Sequence, residues 1–242
     1  MDASQRFERA HILVTTGRTD QALEELQEAL LLEPEHPRLL AGLALILLRR
    51  GELFDAEDAA RRAIFQAPDY ATAHWSLARV LDAAERYDEA LEVLDRAIEL
   101  ERNPLFYDLS AWINLTLERG HVALDIVKEA LFWIPEDEDL LITHAWVCIF
   151  FDQRKKAREL LETVLSLYPE SKGARSTLGK LERDSGNLVE SEKLYREAVE
   201  LDPDCSANLK WYDRVKKELD QSEHGILGPL YDPVTNKFLR RI

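Results

Sequence analysis

The strongest constraint on this chain is a repeat. Six times, about every 34 residues, an alanine-led turn of helix is followed by another small residue seven positions on, and usually by a proline five residues beyond that. The copies read Ala22-Ala29-Pro34, Ala56-Ala63-Pro68, Ala90-Ala97 with the proline delayed to Pro104, Ala123-Ala130-Pro135, Ala157-Val164-Pro169 and Ser191-Ala198-Pro203. A fixed period of this length means one supersecondary unit copied and stacked, each copy burying the face that its neighbour leaves open. Such arrays bind along a surface and rarely carry out chemistry.

Within each period the apolar residues fall at helical spacing in two runs separated by a polar turn. In the second period Leu40, Leu43, Ala44 and Leu47 mark one face of a first helix, and Gly51 supplies the left-handed residue that ends it. Ala56, Ala60, Ala63 and Ile64 then mark a second helix, closed by Pro68. Small residues at the alanine positions let two antiparallel helices approach closely, with larger side chains filling in around them.

These residues resemble the tetratricopeptide repeat, a helix–turn–helix of about 34 residues. The third period matches it with Leu77, Ala78, Leu81, Ala90, Leu94 and Ala97, and the sixth with Leu178, Gly179, Gly186, Tyr195, Ala198 and Pro203. Three departures carry expectations. Arg6 and Arg9 stand where the first helix of the first unit should be apolar, as suits an end unit with a wet outer face. Arg102 replaces the family proline of the third unit, so its outgoing turn should be reshaped. Gly120 lies three residues before Ala123, which should lengthen the first helix of the fourth unit or tighten its turn.

The resemblance implies an all-α fold, a right-handed α-solenoid of six such units. Their expected bounds are residues 3–36, 37–70, 71–102, 103–137, 138–171 and 172–204. Beyond them, residues 205–219 carry Leu209, Tyr212, Val215 and Leu219 at helical spacing and read as the capping helix that closes an array. Residues 220–242 differ: Gly225, Gly228, Pro229 and Pro233 break any helix, while Ile226 to Leu239 is rich in apolar residues and Lys237, Arg240 and Arg241 make the end basic. They read as an extended apolar tail, and a homo-oligomer assembled through it is the alternative expectation to a partner-binding array.

Composition removes other classes. With 46 acidic residues against 31 basic ones, a net charge of −15 lacks the basic footprint of a nucleic-acid binder, despite five tryptophans that could stack on bases. The acidity reads as a solvated outer face. The apolar run Leu39 to Leu48 is too short for membrane insertion, and Met1 to Arg6 shows no secretory signal, so a cytoplasmic protein is expected. Cys148 and Cys205 lack partners at metal spacing, the six histidines are scattered, and no phosphate loop, GxSxG or HExxH occurs. The expectation is a non-enzymatic protein with no cofactor and no metal.

The same resemblance implies that the first helix of each unit lines a concave groove. Carrying the family's groove positions onto this sequence selects Phe7, Arg38, Arg49, Trp75, Arg79, Tyr107, Asn114 and Trp146, with His11, Leu45, Asp82, Ala111, Ile142, Phe150, Lys180, Arg183 and Asp184 around them. Aromatic platforms and arginine forks suit an extended protein or peptide partner with acidic groups. The carboxylate clamp of chaperone-binding members is missing: its lysine, asparagine and arginine places hold Phe7, His11, Gly42, Thr72 and Ser76. Adaptor or scaffold is the function expected.

Overall fold

The computed structural model describes residues 1–203 and 205–223, together with residues 231–232 and 237–238 of the tail. Its helices alternate as the repeat requires. The first pair is α1 (Ala3–Thr15) and α2 (Thr19–Leu32), followed by α3 (Pro37–Arg50) with α4 (Leu53–Gln66) and α5 (Ala71–Ala83) with α6 (Tyr87–Leu100). Then come α7 (Pro104–Thr116), α8 (Gly120–Trp133), α9 (Glu138–Phe150) with α10 (Arg154–Leu167), and α11 (Lys172–Asp184) with α12 (Leu188–Leu201). The helix α13 (Ser206–Glu223) follows them. The fold is an all-α helical repeat of six units with a C-terminal cap. Two compact units divide it, Met1–Arg119 and the part from Gly120 on, so the division falls between the two helices of the fourth repeat.

The alanine ladder is the core. Ala22, Ala56, Ala90, Ala123, Ala157 and Ser191 are all 0 % exposed. Around them in the first unit pack Leu77, Leu81, Leu94, Phe106 and Ile113, and in the second Leu161, Val164, Leu178 and Leu181. Ser191 keeps the small size and satisfies its buried hydroxyl by donating to the Gly179 carbonyl at 2.7 Å. Gly179 in turn makes room for a large neighbour, since a methyl group there would lie 3.1 Å from the Tyr195 ring.

Helix starts and stops follow from local chemistry. Asp2, Asn103, Asp137 and Ser171 accept hydrogen bonds from the first free N–H groups of α1, α7, α9 and α11. The reshaped turn after the third unit is explained here: the shifted Pro104 opens α7, where its missing N–H costs nothing, and Asn103 caps it. A left-handed residue follows each first helix in all six copies, directly after α3 and one residue further on in the others. Gly17, Gly51 and Gly186 occupy three of these turns, but Glu85, Glu118 and Asp152 occupy the others at φ of 59°, 58° and 55°.

Three expectations need correction. Gly120 neither lengthens α7 nor forms the turn: it is the first residue of α8, buried against Phe150 and Phe151, and a methyl group there would meet the Phe150 ring at 2.3 Å. Close approach is its role. The capping helix runs on to Glu223. It turns Val215 inward as its spacing suggested, with Tyr212 and Leu219 half-buried, but Leu209 is exposed and Asn208 is buried instead. Trp211 stacks on Tyr195 with ring centres 6.4 Å apart, and Glu218 takes two bonds from Arg183 at 2.8 and 2.9 Å. Burial pushes the Glu218 carboxyl up, but Arg183 and Arg214 outweigh it and hold it below its ordinary value. Finally, Arg6 and Arg9 do not simply face water: both reach Glu25 on α2, at 2.8 and 3.1 Å.

In the tail, β1 (Tyr231–Asp232) pairs antiparallel with β2 (Lys237–Phe238), Tyr231 opposite Phe238 and Asp232 opposite Lys237. The rest of the tail, including most of the apolar stretch 226–239, lies outside the described residues. No described helix is long and apolar enough to cross a membrane.

Two stability predictions follow from these contacts. Glu85→Gly should relieve the left-handed backbone and raise stability by about 1 kcal/mol, whereas Gly51→Ala should lower it by about the same amount; thermal melts read both. The Glu182 carboxyl, 1 % exposed, faces the Arg158 guanidinium and accepts from Asn187 Nδ2 at 2.7 Å. Arg158→Ala should therefore cost about 3 kcal/mol by stranding a buried carboxylate. Adding Glu182→Gln should recover most of that loss in urea titrations.

Candidate functional site

The first compact unit holds a cavity of about 420 Å³, built by three successive first helices and one second helix. Phe7, Ala10, His11 and Val14 come from α1 and Leu26 from α2, while Gly42, Leu45, Ile46, Leu48 and Arg49 come from α3, and Trp75 and Arg79 from α5. Its size falls within the range of about 300–1,000 Å³ usual for small-ligand pockets. The helix α3 is apolar nearly all round because other helices cover most of its surface, leaving Leu45 and Leu48 half-buried toward the cavity. Gly42 interrupts its run where helix propensity argues against glycine. The reason is contact, since a methyl group there would sit 2.9 Å from the Phe7 ring.

Trp75 is the centre of the site. Its ring packs against Phe106, centres 6.1 Å apart, and the Arg79 guanidinium lies 5.5 Å from the ring centre on α5. Its indole Nε1–H is buried and has no acceptor among the described residues. A buried donor left unmade costs about 1–3 kcal/mol, so something must offset it.

The charges at this rim differ from those elsewhere. Arg50, Arg62, Arg86, Arg96 and Arg119 each pair with a carboxylate of the preceding repeat: Asp20, Glu35, Glu57, Asp69 and Asp88. Arg49 and Arg79, both exposed, form no ion pair among the described residues. The Asp82 carboxyl, three residues on from Arg79, is half-buried, and its pKa is raised by burial against the weaker opposing pull of Arg79. Asp82 is therefore a reluctant anion.

Two profiles described as the tetratricopeptide repeat match the chain, one over residues 7–71 and 151–204 and the other over residues 55–113. The chain belongs to the tetratricopeptide repeat family. Human protein O-mannosyl-transferase TMTC1 is 24 % identical over 209 residues, which cover 85 % of this chain and 20 % of the relative. The TPR repeat-containing protein PA4667 of Pseudomonas aeruginosa is 30 % identical over 131 residues, 53 % of this chain and 22 % of that protein. The chain thus spans about a fifth of the length of these relatives. Among solved structures, a tetratricopeptide repeat protein from Parabacteroides merdae superposes with a TM-score of 0.75 at 13 % identity, over 88 % of this chain and 84 % of the other. That likeness concerns the fold.

Of the tetratricopeptide positions selected from sequence, the cavity brings together Phe7, Arg49, Trp75 and Arg79, with His11 and Leu45. Arg38 is placed beside it but is engaged, 4.2 Å over the Phe7 ring centre and bonded to Glu8 at 2.7 Å. Tyr107 and Asn114 are not surface: they are 4 % and 3 % exposed, and Asn114 Nδ2 donates to the Ser110 carbonyl at 2.9 Å. In the second compact unit Trp146 is half-buried, with Lys180 Nζ 4.2 Å over its ring centre. Val14, Leu26, Ile46 and Leu48, which deepen the cavity, were missed because a groove-position rule selects surface places. Gly42 was the available signal for them, a glycine within an apolar helix.

Replacing Trp75 with its sulfur isostere, 3-benzothienylalanine, keeps the bicyclic ring and deletes only the orphan N–H. Thermal unfolding should show no loss, and a gain of up to about 1–3 kcal/mol, because a stranded donor disappears. A loss of stability instead would mean that the indole is already bonded.

Proposed function

We propose that this protein is a non-enzymatic adaptor that holds an extended, acidic segment of a partner protein against α1, α3 and α5. The observation that carries the proposal is the pair Arg49 and Arg79, unneutralised at the mouth of an apolar cavity in a chain of net charge −15. Most other described arginines engage carboxylates of the chain itself; here the carboxylate is left for a partner to bring. An arginine fork can grip a carboxylate through two parallel bonds, and in a sheltered rim such a bond is worth roughly twice a neutral one.

The fold supports the adaptor class. A stacked repeat presents first-helix side chains along a surface, which suits a chain-like ligand better than a compact one. The lining offers hydrocarbon, guanidinium, indole and one imidazole, and contains no hydroxyl, thiol or carboxylate to pair with that imidazole for catalysis. The transferase named among the relatives is matched over a fifth of its length, and its activity is not carried over to this chain.

The test is affinity capture from the native host with wild-type protein and with the Arg49→Glu/Arg79→Glu variant, followed by mass spectrometry. Partners specific to the groove should be lost from the variant, while its circular dichroism and melting temperature stay unchanged. Equal capture by both proteins would remove the groove from the function.

A further inference from the structure

Resting on the groove reading above, we infer that the cavity receives one large apolar side chain from the interior of the partner segment, and that this segment carries an Asp or Glu within two residues of that anchor. Two separate features of the cavity point to this chemistry. Its lining is mostly hydrocarbon, with Val14, Leu26, Leu45 and Ile46 beside the Phe7 and Trp75 rings. Filling such a lining with an apolar group removes water from both surfaces. Its exposed residues include Arg49 and Arg79, which form no ion pair among the described residues.

Spacing ties the two together. Arg49 closes the last turn of α3 and Arg79 stands in the third turn of α5, both bordering the same cavity. An extended chain advances about 3.3 Å per residue, so a carboxylate within two residues of the anchor stays within about 7 Å along the chain, inside the reach of an arginine at the rim. An acidic stretch without an anchor would leave the hydrocarbon lining wet. An apolar side chain without a carboxylate would leave two cations uncompensated. The combination satisfies both.

The experiment uses the full chain and a synthetic array of N-acetylated, C-amidated octapeptides of randomised sequence, so that no probe has a terminal charge. Wild-type protein should select peptides with Leu, Ile, Met or Phe beside Asp or Glu. In solution, replacing the anchor of a selected peptide by Ala should weaken binding at least tenfold. Replacing its acidic residue by the amide should do the same. Leu45→Trp, which narrows the cavity, should cost at least tenfold, and Trp75→Phe should cost about threefold to tenfold. The second variant keeps the test open should the first disturb the fold in a melt.

If acidic peptides are selected without an anchor, and Leu45→Trp binds them as well as wild type, the cavity assignment is overturned while the acidic-groove reading stands. If binding appears only for a companion set with free C-terminal carboxylates, the interior side-chain carboxylate is overturned. If no selected peptide responds to Arg49→Glu/Arg79→Glu, this inference and the groove reading fall together.

Discussion

The whole architecture depends on how closely two helices can approach at a small residue. At Ala22, Ala56, Ala90, Ala157 and Ser191 the facing helix of the pair comes near enough to leave no exposure at all, and a larger side chain would push the pair apart. A methyl-sized contact repeated in these pairs sets the positions from which larger side chains pack. The exceptions respect the same limit. Ser191 is barely bigger than alanine and bonds its hydroxyl to a facing carbonyl, while Gly179 goes below alanine to admit Tyr195.

That regularity is why the fold could be read from the chain before its coordinates. Period, helix pairing, the end of α3 at Gly51 and the cap after the last repeat all follow from residue types that recur at fixed spacing. The misreadings lie where a single pairwise contact decides the local arrangement. Phe150 turned Gly120 into a packing residue, Glu25 drew in Arg6 and Arg9, and α13 buries Asn208 but leaves Leu209 exposed. Pairwise contacts of this kind are not periodic, so no repeat pattern announces them. Three turns likewise hold Glu85, Glu118 and Asp152 in a backbone region where glycine would rest easily. Their strain is invisible in composition, because the neighbouring helices and not the residue itself dictate the angle.

The candidate site was partly legible for the same reasons. Positions shared with the family located Phe7, Arg49, Trp75 and Arg79 without any coordinates, since first-helix places recur. What could not be read was which of the selected side chains would be consumed by the array itself. Arg38 and Asn114 look like Arg49 in a list of positions, yet one is spent on Glu8 and Phe7 and the other on the Ser110 carbonyl. Distinguishing spent from available groups needs geometry, because an acidic chain offers several carboxylates to any arginine. Two arginines that escape capture beside one apolar cavity are more informative than many that do not.

The contact between Gly42 and Phe7 has a mechanical consequence. The helix α1 supplies Phe7, Ala10, His11 and Val14, a full side of the cavity. Anything lodged there bridges α1 to α3 and α5, adding to the interface that holds the first repeat on the second and third. Separation of α1 from α3 and emptying of the cavity are therefore linked equilibria, each biasing the other by the same free energy.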